Sequence, residues 1–413
     1  MSNSPSLPVT PADIDQALPR VRSVLPVTPL THAPHLTELV GSTLSCKWDL
    51  KFRTGSFKER GAVNLLLSLT PEQQKQGVCA ASAGNHALAL SYHAAKLRVP
   101  CTIIMPRTAP LVKIRHTERT GATVILEGST FDEAYERAQA LAKQEGTRFV
   151  SAFDDHAIIA GQGTAGLEIL EQCPDLDTIV VPVGGGGLAS GIALAVKARR
   201  PEVMIIGVQS EWVLKSRAES KPPSETAIRP VTIADGIAVK RVGTLTGPII
   251  GALLDSLISV NEGEIANGIL RYLELERTMV EGAGAAALAA ILAGKLPKGR
   301  RHTVVLACGG NIDMNVLSRL IERDMAQLGR LLKVVVSAPD RPGSLHRISG
   351  ALSAQGANVL EVQHDRSFSK VPGNVDITFS MEVRDNAHKL RVLEQLRALG
   401  VEVRETTMLS TER

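Results

Sequence analysis

Between about residue 76 and residue 324 the chain repeats one pattern: a short β-branched, apolar run followed by a longer stretch with helical spacing of apolar positions. Residues 101–105, 122–126, 178–183, 203–208 and 303–307 are such runs, and most are apolar at every position instead of alternating. Strands of that kind are covered by helices on both faces, which predicts a parallel α/β architecture. Upstream, Thr10 and Pro11 predict the cap and first position of an opening helix. Near Gly329 the rhythm changes. Residues 331–337 read as strand, 343–354 as helix, 358–363 and 374–383 as strands, 387–399 as helix and 401–404 as strand. That βαββαβ order predicts a separate ferredoxin-like unit.

Composition narrows the class. A chain of 413 residues is too long for one ordinary core, so two or three domains are expected. With 44% hydrophobic and 21% charged residues it is a folded protein, and a net charge of +4 without a basic block argues against nucleic acid as a partner. Five scattered cysteines, an odd number with no C-x-x-C pair, favour a reducing cytoplasm over a disulfide or zinc framework. The first eight residues have no basic start and no apolar core, so no secretory signal is expected, and no apolar run reaches the ~18 residues of a membrane span.

Candidate chemistry sits at the ends of the apolar runs. Lys58 follows Thr54-Gly55-Ser56-Phe57 and precedes a helix expected from Glu59, where a helix dipole and partial burial disfavour the ammonium and keep the amine free for imine formation. Gly184, Gly185, Gly186 and Gly187 lie between a strand ending at Val183 and a helix starting at Leu188, so bare N–H groups at a positive helix end predict a bound anion. Gly184-x-Gly186-x-x-Ala189 also meets a loose dinucleotide fingerprint, but the acidic residue expected after the next strand is replaced by Gln209, with Glu211 two places on. Ser82, Ala83, Gly84, Asn85 and His86 form another strand-to-helix turn whose N–H groups suit a carboxylate, with His86 read as a helix-start residue rather than a general base. Cys308-Gly309-Gly310-Asn311 follows one more strand. Ligands of α/β sheets gather at such carboxyl ends, and together these strings describe a pyridoxal phosphate site.

With Thr28-Pro29-Leu30, Lys47-Trp48-Asp49-Leu50, residues 232–239 and Val280-Glu281-Gly282-Ala283-Gly284-Ala285, the motifs run in order along nearly the whole chain. In this the chain resembles the fold type II pyridoxal phosphate enzymes, specifically the threonine dehydratases (threonine ammonia-lyases). The resemblance implies a tryptophan synthase β-like α/β core. A large cofactor-binding domain would span residues 1–77 and 156–328, with a small substrate domain, 78–155, inserted in it. It also implies that Lys58 condenses with the cofactor's aldehyde, Phe57 packs on its ring, Asn85 bonds the ring oxygen, and Cys308 faces the ring nitrogen. Gly184 to Gly187 and the Leu188 amide would take the phosphate, and Ser82 to His86 the substrate carboxylate.

The related serine racemases carry a second Ser where this chain has Ala83, which makes racemisation the minor reading. They also bind a divalent cation through a Glu matched here by Gln209, so no metal is expected. Residues 331–413 resemble an ACT domain, with Pro342, Gly343, Ser344, Leu345 and Asn358 as candidate contacts for an amino-acid effector, or else an oligomerisation module without ligand. The expectation is a cytoplasmic homo-oligomer, dimer or tetramer, that eliminates water and ammonia from threonine and also from serine. Dehydration of another 3-hydroxy amino acid (3-hydroxyaspartate, phenylserine) and a non-catalytic amino-acid sensor stay open as alternatives.

Overall fold

A computed structural model describes residues 7–218, 232–366 and 371–406, so the first six residues, read above as lacking a signal, lie outside it. The strands in chain order are β1 (Leu30–His32), β2 (Thr43–Lys47), β3 (Val78–Ala81), β4 (Cys101–Met105), β5 (Thr123–Leu126), β6 (Arg148–Phe149), β7 (Thr178–Pro182), β8 (Met204–Ser210), β9 (Ser256–Val260), β10 (His302–Leu306), β11 (Leu331–Pro339), β12 (Asn358–Asp365), β13 (Asn374–Glu382) and β14 (Glu402–Glu405). They form three sheets in two compact units, residues 1–313 and 314–413.

In the first unit, a six-stranded sheet runs β1-β2-β10-β7-β8-β9, parallel except for β1. A four-stranded parallel sheet runs β5-β4-β3-β6. Strands β3 and β7 are buried at every position, as their unbroken apolar sequences require. Thr10 closes a reciprocal capping box with Asp13, and Pro11 takes the first helical position. β8 extends beyond residue 208 to Ser210, because Gln209 pairs with Ser259 across the sheet. Gln209 is therefore inside the strand, fully buried, and its amide donates to the Val183 carbonyl and, at 3.2 Å, to that of Ile237. It braces the loop after β7.

Three helices approach with almost no side chain between them. A Cβ on Gly161, in helix His156–Gln172, would lie 2.7 Å from the Arg60 carbonyl and from the Gly61 Cα of helix Lys58–Ser68. A Cβ on Gly163 would lie 2.9 Å from the carbonyl of Gly191 in helix Gly187–Lys197. The helices that begin at Lys58 and at the glycine loop are thus packed on the same central helix.

Beneath Lys58 lies a closed set of buried charges. The fully buried Arg60 guanidinium donates to both Asp49 oxygens at 2.8 Å and to the Glu168 oxygens at 2.9 and 2.7 Å. Lys47, at the end of β2, donates to Glu168 (2.7 Å), the Thr28 carbonyl (2.8 Å) and Gln172 (2.8 Å). Thr28 donates its hydroxyl to Asp49 at 2.6 Å. Burial disfavours the Asp49 carboxylate, yet the Arg60 guanidinium outweighs it and holds the carboxyl below its ordinary range. Two cations face two carboxylates, so the charge balances and the hydrogen bonds are made.

The second unit is an antiparallel sheet, β12-β13-β11-β14, joined by helices Ser344–Ala354 and Asn386–Ala398. β13 alternates buried and half-buried positions, placing Val375, Ile377, Phe379 and Met381 in one core. The βαββαβ order is that expected from the sequence, with boundaries moved by at most two residues. The Pro342–Gly343 turn is exposed, Gly343 caps its helix with φ +91°, and the Asn358 amide donates to Glu382 at 2.9 Å.

Truncating Arg60 leaves Asp49 and Glu168 buried without their main partner, at a cost of ~3–5 kcal/mol. An Arg60→Ala variant is expected to show a much lower thermal midpoint than the parent and to lose cofactor retention with it; an unchanged midpoint would contradict the assignment.

Candidate active site

Four loops meet at the carboxyl ends of the strands. Residues 54–58 enter helix Lys58–Ser68, residues 82–86 follow β3, residues 184–188 follow β7, and residues 308–311 follow β10. The loops 54–58, 82–86 and 308–311 are tied to one another by backbone and amide bonds. The Phe57 N–H donates to the Cys308 carbonyl at 2.9 Å, Ser56 bridges Gly309, and the Gly310 N–H reaches the Gly55 carbonyl at 2.9 Å. The Asn311 amide donates both to Asn85 (2.7 Å) and to the Thr54 carbonyl (2.8 Å).

Lys58 is the first residue of its helix. Its Nζ donates to the Ala152 carbonyl at 2.7 Å and lies 4.9 Å from the centre of the Phe57 ring. Burial pushes its pKa down to about 8, against the pull of Cys308 and Glu281. The neighbouring Ser56 hydroxyl is fully buried without a partner among the described residues. Cys308 is buried, and its thiol is pushed well above the ordinary range by burial and then by Glu281, so it stays neutral.

The glycine loop leaves no room for side chains. A Cβ on Gly185 would strike the Phe153 ring, and one on Gly186, at φ +100°, would stand 2.9 Å from Thr246 and strike Ile250. The loop's carbonyls are engaged elsewhere: Thr246 donates to that of Gly185 at 2.6 Å, and Arg217 to that of Gly184 at 3.1 Å. Gly187 starts helix Gly187–Lys197, so its N–H and that of Leu188 are among the four that a helix leaves without internal partners. A dianionic phosphate suits this end.

In the turn after β3, Ser82 accepts from the Gly84 and Ala87 N–H groups at 3.2 and 3.3 Å, and the Leu88 N–H goes to the Gly84 carbonyl. The helix begins at Asn85, so His86 lies in its first turn. His86 is buried, its Nε2 lies 3.3 Å from the Val150 carbonyl, and burial followed by the charge of Lys58 lowers its pKa to about 3. It is a neutral ring that pins the helix start to the chain just after β6.

Two residues of the site were not singled out from the sequence. Glu281 caps helix Gly282–Leu292, accepts from the Asn85 amide at 2.7 Å, and donates its own N–H to the Gly309 carbonyl at 3.0 Å. Burial and then Asp235 push its carboxyl up to about 7. Glu59, fully buried, accepts from the Thr54 N–H and meets His93 Nε2 at 2.6 Å, fastening the Lys58 loop to the helix after β3. An acidic residue heading the small-residue run 282–287 was the available signal for Glu281, whereas Glu59 has the sequence surroundings of an ordinary surface helix residue.

A buried amine with a lowered pKa, a side-chain-free anion cradle on the same packed helices and the orphan Ser56 hydroxyl beside Phe57 in the chain fit a phosphate-bearing aldehyde cofactor. The chain belongs to the pyridoxal-phosphate dependent enzymes, whose family pattern matches residues 21–309, and it ends in an ACT domain matching residues 333–401. Pyridoxal phosphate is accordingly its cofactor. An L-threonine ammonia-lyase of Thermotoga maritima is 43% identical over 407 residues, covering 96% of this chain and 99% of that protein. Among solved structures, a serine racemase of Dictyostelium discoideum is 35% identical with a TM-score of 0.67, covering 74% of this chain and 99% of its own. Threonine deaminase isoform 2 of Solanum lycopersicum is 32% identical with a TM-score of 0.68, covering 78% and 95%. Among the described residues no helix is long and apolar enough to cross a membrane.

If Lys58 takes the cofactor, capture needs its uncharged amine. The rate at which the cofactor-free protein captures pyridoxal phosphate should rise with pH through about 8, where Lys58 loses its proton. Stopped-flow absorbance from about pH 6 to about pH 10 measures it, and a flat profile would contradict the assignment.

Proposed function

We propose that the chain is a threonine ammonia-lyase, converting L-threonine to 2-oxobutanoate and ammonia, and L-serine to pyruvate. The carrying observation is the Lys58 amine, whose pKa is lowered to about 8, lying among the carboxyl-end loops, with Ala83 at the position where the related racemases carry a second Ser. Pyridoxal phosphate, when bound, supplies an aldehyde that condenses with amines and a ring that draws off the electron pair freed at the α-carbon.

The chain's residues divide the remaining work. Lys58 Nζ holds the cofactor at rest and, once the substrate amine has displaced it, takes the α-proton; a base that titrates near 8 is matched to neutral solution. Gly184 to Gly187, with the Leu188 N–H, hold the phosphate, and Phe57 lies along the ring. Because Ser82 already occupies the Gly84 and Ala87 N–H groups, those of Asn85 and His86 serve the substrate carboxylate. The Asn85 side chain, set by Glu281 and Asn311, serves the cofactor's ring oxygen. Cys308, held as a neutral thiol, would lie against the cofactor's ring nitrogen without protonating it, which would favour elimination over transamination.

The racemase likeness in fold supplies no second proton carrier at Ala83, since a methyl has no proton to exchange. The domain division of the sequence reading stands as part of this proposal, with residues 1–77 and 156–328 to hold the cofactor, 78–155 to close on the substrate and 331–413 to regulate, although residues 314–328 fall in the second compact unit. The regulatory unit responds to an amino acid through the exposed turn Pro342, Gly343, Ser344 and Leu345 with Asn358, and the enzyme works as a homo-oligomer. Exposed Leu360 and Val362 on the sheet's outer strand β12 support a second copy. Cytoplasmic action fits five cysteines that are all free and buried.

The test is 2-oxo acid release from L-threonine, L-serine and 3-hydroxyaspartate, with Lys58→Ala as the blank. Rapid turnover of threonine, reduced at least ~100-fold in the variant, is expected. Release from 3-hydroxyaspartate alone would move the substrate, and none from any of the three would overturn the reading. Isoleucine or valine added to the same assay should change the rate; no change in rate or thermal midpoint would contradict amino-acid control.

A further inference from the structure

At the opposite end of the same strands stands a cluster that the reaction does not use. His302 opens β10, and Cys173 and Asp175 precede β7, about 17 Å along the strand from the Cys308 loop. The Cys173 sulfur lies 3.7 Å from His302 Nδ1 and 3.6 Å from an Asp175 oxygen, and the other Asp175 oxygen is 2.9 Å from the same Nδ1. One ligand atom from each of the three residues falls within 4.8 Å of the others.

We propose that Cys173, Asp175 and His302 form a zinc site remote from the active site. Zinc bonds of about 2.3 Å to sulfur and about 2.0 Å to nitrogen or oxygen, at tetrahedral angles, separate sulfur from the other donors by about 3.5 Å. The sulfur also lies 3.5 Å from His302 Nε2, so it now sits beside the ring; the three donors are gathered, and the thiol swings toward the Nδ1 side to share an ion with it. The second ring nitrogen is also provided for: His302 Nε2 lies 2.9 Å from the Ser45 hydroxyl, the kind of outer partner that fixes the tautomer of a metal-bound imidazole.

On binding, the Cys173 thiol gives its proton to solvent and forms the sulfur–zinc bond. The imidazole binds through Nδ1 with its proton on Nε2, donated to Ser45, and the Asp175 carboxylate turns from the ring to the ion. Cys173 is buried while the Asp175 side chain is 75% exposed, which leaves the outward fourth position to water. Asp177 does not compete for it, since one of its oxygens accepts from the Arg301 and His302 N–H groups and the other from Thr178. A Cys, His and carboxylate set suits zinc rather than magnesium or calcium, which take oxygen donors. The ion would clip the end of helix His156–Gln172 to the start of β10.

The test uses the full-length, cofactor-loaded protein, stripped with a chelator and dialysed against zinc at one low concentration. The parent should retain one more zinc per chain than Cys173→Ser. Asp175→Asn, an exposed change that spares the fold, should weaken retention by at least the roughly tenfold that loss of an outer partner alone costs. Cobalt in place of zinc should give a thiolate charge-transfer band in the parent that is missing from Cys173→Ser. Equal zinc in parent and both variants, or a cobalt band that survives in Cys173→Ser, would overturn the site. Because the readout is metal content and its spectrum, the outcome is independent of which amino acid the enzyme consumes.

Discussion

Everything around Lys58 depends on the buried exchange between Arg60, Asp49, Glu168 and Lys47. Lys58 sits at the start of a helix whose third residue is locked between two carboxylates from different parts of the chain. Asp49 comes from the short turn after β2, and Glu168 from the central helix that also carries the packing glycines. Ions this deep gain little stability over a well-packed apolar cluster, so the network is better understood as a positioning device. It holds only when all members are present, and it fixes the start of the helix that carries Lys58.

That rigidity explains how a lysine is kept short of full protonation. The amine gains one carbonyl partner, Ala152, and among the described residues no carboxylate lies within bonding distance of it. Glu281 is near enough to raise its proton affinity, yet burial leaves that carboxyl titrating near 7 and tied to Asn85. Burial therefore works on both groups in the same direction, toward the uncharged forms, lowering one pKa and raising the other. Glycine does a matching job in the loop after β7, where close packing leaves no room for a Cβ and the N–H groups at the helix start are left bare for an anion.

The strand ends were legible in the sequence because unbroken apolar runs followed by glycine or serine are local signals. β4 and β10 were found to within a residue, and the βαββαβ unit in full. Gly184 to Gly187 and Cys308 stand out for the same reason, each lying where a run stops, whereas Lys58 stands out through the Thr54-Gly55-Ser56-Phe57 string before it. The charge network was not, since Arg60 bonds residues 11 positions back and 108 positions ahead, and no local pattern distinguishes it from a solvated arginine. Glu281 was quoted only as part of a motif, because its pairing with Asn85 spans 196 positions. Gln209 was placed past its strand for a smaller reason: a polar residue closing an apolar run resembles a loop until its pairing with Ser259 is known.

The central claim is that Lys58 carries the cofactor. Reducing the cofactor-loaded protein with borohydride and mapping the labelled peptide by mass spectrometry tests it most directly. The account predicts a single pyridoxyl-phosphate adduct on Lys58, and an adduct on any other lysine, or none at all, would contradict it.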